Sequence, residues 1–139
     1  MTPVERTLKL IRAEGGHPET VEKWIPRGHG FKLDLFGVVD IEALFPDHTL
    51  YVQVCRDTDL TDHLVTCIGE PRLLKLIECQ ARVFEIWSWA KKGNRWRERR
   101  LTAEWTPAGV VFVEYDRGTP AVSPVTPMRR VQTSAQGER

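Results

Sequence analysis

The sequence predicts an α/β (α+β) domain in which helices flank a mixed β-sheet. Three observations predict it. Apolar residues recur at helical spacing near the N-terminus and again between residues 60 and 80. Short runs rich in Val, Ile, Phe, Trp and Tyr lie between and after these segments, bounded by Gly, Pro and Asp. The resulting order, α-β-β-β-α-α-β-β with a further strand behind it, buries its apolar faces only if helices stack on a sheet.

Each element has a local cause. Thr2, Pro3 and Glu5 form a T-x-x-E capping box with Pro at the first helical position. Val4, Leu8 and Ile11 continue the period and Gly15-Gly16 stops it, so the first helix covers about residues 3–14. TVEKWIP, residues 20–26, is β-branched and aromatic and reads as the first strand. LDLFGVVDIEALF, residues 33–45, reads as a long second strand, with Gly37 marking a bulge or bend. PDH turns the chain, and TLYVQVCR, residues 49–56, returns antiparallel as the third strand.

Leu64, Val65 and Ile68 suggest a short helix over 61–68. Pro71 opens another over 71–80 with Leu73, Leu74 and Ile77 buried. RVFEIWSWAKK (82–92) and RWRERRLTAEW (95–105) form a hairpin around Gly93-Asn94, and GVVFVEYD (109–116) adds a strand. Residues 1–116 thus form one domain. Residues 117–139, poor in large apolar side chains, are expected to be a disordered tail.

Composition sets further bounds. The chain has 139 residues, 41% hydrophobic and 28% charged, ordinary for a globular protein that buries its own core. Cys55, Cys67 and Cys79 lack C-x-x-C spacing, which points to reduced thiols rather than a zinc site. No apolar run approaches the roughly 18 residues of a membrane span, and the N-terminus has no signal-peptide core, so a cytoplasmic protein without membrane contact is expected. Residues 1–90 hold 10 Lys/Arg and 14 Asp/Glu, whereas residues 91–139 hold 10 and 5. An acidic front and a basic back are compatible with a metal site beside a polyanion-binding surface.

Two strands carry unexpected polar residues. Tyr51, Gln53 and Cys55 share one face of the third strand, and a buried Gln needs a partner. Hairpin pairing about Pro46–His48 puts Asp40 across from residues 53–55. Asp40 and Gln53 then converge on one point, where a hard cation would find oxygen ligands.

GVVD, followed 13 residues later by QVC, after a helix and a first strand, resembles the PD-(D/E)XK nuclease superfamily of restriction-endonuclease-like and Holliday-junction-resolvase-like enzymes. The resemblance covers about residues 3–90. It implies an α-β-β-β-α-β core, here with a C-terminal β-hairpin extension, and phosphodiester hydrolysis with Mg²⁺ or Mn²⁺. Asp40 matches the first acid, and Gln53 matches the second acid position, which the family sometimes fills with Gln. Cys55 stands where the family has its Lys, so a neutral thiol replaces the cation that assists the attacking water. Lys23 or Lys32 would have to supply that charge, since Arg56 points to the opposite face.

The resemblance implies a metal held by Asp40, Gln53 and the Val54 carbonyl, with catalytic roles for Asp40, Gln53 and Cys55. Glu22 is a further ligand candidate, with plain exposure as its alternative. Asp34 joins only if the chain bends near Gly37, because six residues of strand span about 20 Å; otherwise it caps a turn. Glu5 is explained by its capping box, Glu42 by the sheet surface and His63 by a solvated helix start. Downstream, Lys91, Lys92, Arg95, Arg97 and Arg99 interleave with Trp and can follow a DNA backbone; a solvated, charge-protected hairpin is the alternative. A metal-dependent DNA endonuclease, natural as a homodimer, is one expectation. A catalytically inactive nuclease-fold module that binds nucleic acid or protein is another. A purely structural domain in which Asp40 and Gln53 bond each other is a third.

Overall fold

The computed structural model describes residues 1–21, 23–25, 31–33, 35–115 and 129–132, with backbone alone for 23–25, 31–33 and 129–132. Its centre is a seven-stranded mixed sheet. Strands β1 (His17–Thr20), β4 (Ile41–Leu44), β5 (Thr49–Arg56), β6 (Arg82–Lys92), β7 (Arg95–Thr106), β8 (Gly109–Tyr115) and β9 (Arg129–Gln132) lie side by side in that order. Strands β2 (Lys23–Ile25) and β3 (Phe31–Leu33) pair separately as a small hairpin. Among the described strands only β5 and β6 run parallel, and the other pairings are antiparallel. A parallel pair needs a crossover. Here a 3₁₀ turn at Asp57–Asp59 leads into α2 (Leu60–Ile68) and α3 (Pro71–Ile77), which carry the chain back to β6.

Helix α1 (Pro3–Ala13) covers one sheet face. Thr2 accepts from the Glu5 amide at 3.1 Å while Glu5 accepts from the Thr2 amide at 2.6 Å, so the capping box forms as the sequence implies. Ile11 joins a buried cluster with Ile41, Ala43, Leu50, Val52, Val54, Trp87 and Trp89. Thr7 is fully buried; its hydroxyl donates to the Pro3 carbonyl at 2.8 Å and accepts from the Trp89 indole at 2.9 Å. The opposite face packs under α2 and α3, where Leu60, Cys67, Ile68, Leu73 and Leu76 meet Phe84, Ile86, Leu101 and Phe112.

Several boundaries differ from expectation. The first sheet strand is His17–Thr20, ahead of the expected 20–26, whose later part becomes β2. HPET is polar and contains Pro18, tolerable because β1 pairs on one side only. The expected long strand over 33–45 is broken by a tight turn, with Leu35 bridged to Val39 and positive φ at Phe36 (56°) and Gly37 (73°). Two successive left-handed residues end the strand, so of the bulge or bend expected at Gly37 the chain makes the bend, as a tight turn. In α2, Leu64 and Ile68 of the expected stripe face the core, joined by Leu60 and Cys67, while Val65 is exposed. Within the segment expected to be a disordered tail, Arg129–Gln132 pairs with β8; 116–128 and 133–139 lie outside the described residues.

Replacing Thr7 with Val removes the acceptor of the buried Trp89 N–H without changing volume. A loss of about 1–3 kcal/mol is expected, the cost of an unsatisfied buried donor, read as a lower urea midpoint at unchanged m-value.

Candidate functional site

The hairpin arithmetic holds. Ile41 faces Val52 and Glu42 faces Tyr51, so continuation of the ladder brings Asp40 to Gln53. The ladder slips at that point. The Asp40 amide donates to the Val52 carbonyl at 2.9 Å, one residue out of register, and the Asp40 carboxylate accepts the Val54 amide at 2.8 Å. Asp40 therefore bonds the peptide groups on both sides of Gln53. Its own carbonyl accepts from Val21 at 3.0 Å, which extends the β1–β4 pairing.

The Gln53 side chain points under α2, where its Oε1 accepts from the Cys67 thiol at 2.9 Å. Cys67 is the partner a buried Gln requires. Counting the α2 stripe from Leu60 at steps of four and seven would have reached Cys67 in place of Val65. Asp40, Gln53 and Cys55 are 8%, 4% and 5% exposed, so helix and sheet enclose the trio. The three cysteines are unpaired, with Cys55 and Cys67 buried and Cys79 exposed.

The two buried thiols, Cys55 and Cys67, are held neutral. Burial pushes Cys55 up to about 11; a Ser88 hydrogen bond opposes this, and the charges of Asp57, Asp59 and Asp40 add to it. Burial raises Cys67 as well, with Asp40 and Cys55 contributing. A raised acid pKa stabilises the fold below the ordinary thiol value near 9, and that stabilisation is lost as pH climbs through about 11.

Cys55, Ser88 and Arg99 occupy one cross-strand row. The Ser88 hydroxyl donates to Asp57 at 2.9 Å, and Arg99 donates to Asp57 at 3.0 Å and to both oxygens of Glu114 at 2.8 and 3.0 Å. These carboxylates raise the Arg99 pKa, the Glu114 hydrogen bonds most. Arg99, expected to face nucleic acid, is instead a clamp that ties β7 to the turn after β5 through Asp57 and to β8 through Glu114. Neither Ser88 nor Asp57 bears a sequence signal, since their meeting depends on the parallel crossover.

On the α1 face, Arg100 donates to Glu14 and Glu98 and stacks over Trp87 at 3.9 Å from the ring centroid. By contrast Lys91, Lys92, Arg95 and Arg97 are exposed, and none makes an ion pair among the described residues.

The remaining expected residues fall as follows. Glu5 caps α1, Glu42 accepts from Tyr51, Arg56 is exposed and His63 is half-buried on α2. Glu22 and Asp34 lie outside the described residues, as do the side chains of Lys23 and Lys32. Among the described residues, no group of three or more His, Cys, Asp or Glu is placed to hold a metal ion. Among the described helices, none is long and apolar enough to cross a membrane. No family model, curated protein or solved structure matches the chain.

Two outcomes follow from this geometry. Asp40→Ala strands the Val54 amide and is expected to cost about 1–3 kcal/mol in urea unfolding. Iodoacetamide at pH 8 should label Cys79 alone in the folded protein, with Cys55 and Cys67 reacting only after denaturant is added; mass spectrometry of labelled peptides reads the difference.

Proposed function

We propose that the chain is a protein of restriction-endonuclease-like topology that binds nucleic acid through the β6–β7 hairpin without hydrolysing it. The observation that carries this reading is the contrast in charge. Arg99 and Arg100 are compensated inside the fold. Lys91, Lys92, Arg95 and Arg97 stand exposed and without ion pairs among the described residues. Exposed, uncompensated cations on a fixed strand pair gain most from a polyanion, because each phosphate contact releases condensed counterions.

The core order supports the same reading. A helix, an antiparallel trio β1-β4-β5, a helical crossover and parallel β6 follow the α-β-β-β-α-β sequence that the resemblance implies. Against hydrolysis stand the neutral Cys55 thiol at the lysine position and the Gln53 oxygen already bonded to Cys67. Both lie beneath α2, where water and phosphate have little access.

A second reading, hydrolysis assisted by Mg²⁺ or Mn²⁺, is favoured by the convergence of Asp40 on Gln53. Asp40 and Gln53, with the Val54 carbonyl, would hold the ion.

Fluorescence anisotropy against labelled linear and branched DNA over a salt series tests the first reading. Replacing Lys91, Lys92, Arg95 and Arg97 together by Ala should weaken binding more than tenfold and lower the slope of log K against log salt by about three to four. Unchanged affinity would remove the hairpin from the interface. Incubation of the same DNA with Mn²⁺ separates the second reading: no cleavage is expected, whereas nicking that Asp40→Ala abolishes would establish it.

A further inference from the structure

We infer that the tip of the β6–β7 hairpin is a ribbon that enters the major groove of B-form DNA. This inference rests on the nucleic-acid reading above and names its target.

Strand β5 accompanies β6 only as far as the Arg56–Trp89 pair, and β8 accompanies β7 only from Leu101 onward. The pairs Ala90–Arg97, Lys91–Trp96 and Lys92–Arg95 therefore have no strand neighbour among the described residues. Three pairs and a Gly93-Asn94 turn extend about 10 Å beyond the last strand neighbours at strand rise. The Lys91–Trp96 row is covered on its Trp96 side by Arg6 of α1, and the Lys92–Arg95 row and the turn lie beyond it. The major groove is about 12 Å wide and 8.5 Å deep and admits a two-stranded ribbon. Residues 90–97 contain four cations and no acid.

The ribbon is anchored at its base. Trp96 packs against the α1-side core, and the Arg6 guanidinium lies over its ring at 4.8 Å. Trp89 is tied to α1 through Thr7. A rigid base means little conformational entropy is lost on docking.

Alternation assigns the contacts. Lys92, Arg95 and Arg97 project from the α2–α3 face, and Lys91 from the other. Arg95 and Asn94 sit nearest the tip, at the depth of the base edges, where Arg fits guanine O6 and N7 and Asn fits adenine N6 and N7. Arg97, nearest the base of the ribbon, meets the phosphate rim, opposite the small side chain of Ala90.

Dimethyl sulfate footprinting of a mixed-sequence DNA duplex tests this directly, with an RNA duplex of the same sequence as competitor. The expected result is protection of guanine N7, and DNA preferred over RNA by more than about tenfold because the A-form major groove is too narrow to enter. Arg95→Ala should lose N7 protection while binding persists. Arg97→Ala should keep N7 protection and lower the salt slope by about one. These side chains are exposed, so the variants test contact and not folding. If the DNA duplex binds with every N7 reactive, or if the RNA duplex competes equally, groove entry is wrong while hairpin binding stands. If neither duplex binds, both proposals fall.

Discussion

Three strands depend on what Asp40 does at the point where the chain leaves the Leu35–Val39 turn. Its carbonyl holds β1 through Val21, its amide holds β5 through Val52, and its carboxylate takes the Val54 amide. The ladder has slipped by one residue there, so no backbone carbonyl of β4 is in position for Val54. A side-chain oxygen fills the gap. An amide left unpaired at this depth costs on the order of 1–3 kcal/mol, and β5 carries α1 on one face and α2 on the other. The acid that in sequence suggests a metal ligand thus has a structural duty in the sheet.

Polarity around that point is consumed internally. Gln53 is answered by Cys67, Cys55 by Ser88, Ser88 by Asp57, and Asp57 by Arg99, which Glu114 completes. Such a chain of partners carries polar groups from the enclosed β5 face to the sheet edge without leaving one unsatisfied. Its cost is chemical reach: a neutral thiol and an amide oxygen already bonded cannot steady a developing negative charge as a free cation would.

How much of this was legible in sequence depended on range. Strands β5 and β6 were readable to the residue because they alternate cleanly between turn signals, and the Asp40–Gln53 convergence followed from a short turn. The capping box of α1 was local and equally plain. Strand β1 was missed because an edge strand need not look apolar, and the bend signalled at Gly37 was not read as a full break because Val38-Val39 is apolar whether it turns or extends. Both valines are buried in the core under α2 and α3. The enclosure of the site was not legible: whether α2 covers Gln53 or leaves it open is decided by a crossover whose packing joins residues far apart in sequence. The same holds for Arg99, whose two carboxylate partners lie 42 and 15 residues away.

Binding at the hairpin does not require chemistry at the acid–amide pair, although both share a sheet face. The Ala90–Arg97 row stands two residues beyond the Cys55–Ser88–Arg99 row, about 7 Å along the strands. A phosphate held by Arg97 would therefore approach the clamp formed by Arg99, Asp57 and Glu114 before anything deeper. Arg99 is already compensated there, and the clamp's two carboxylates repel a further anion more than its one guanidinium attracts it. If the hairpin binds nucleic acid as proposed, this field would steer a phosphate chain outward along Arg97, Arg95 and Lys92, away from Asp40. On the proposed reading, a sheet that binds at its projecting tip and closes its centre with hydrogen bonds would keep a bound phosphate chain away from the acid–amide pair by the arrangement of its charges.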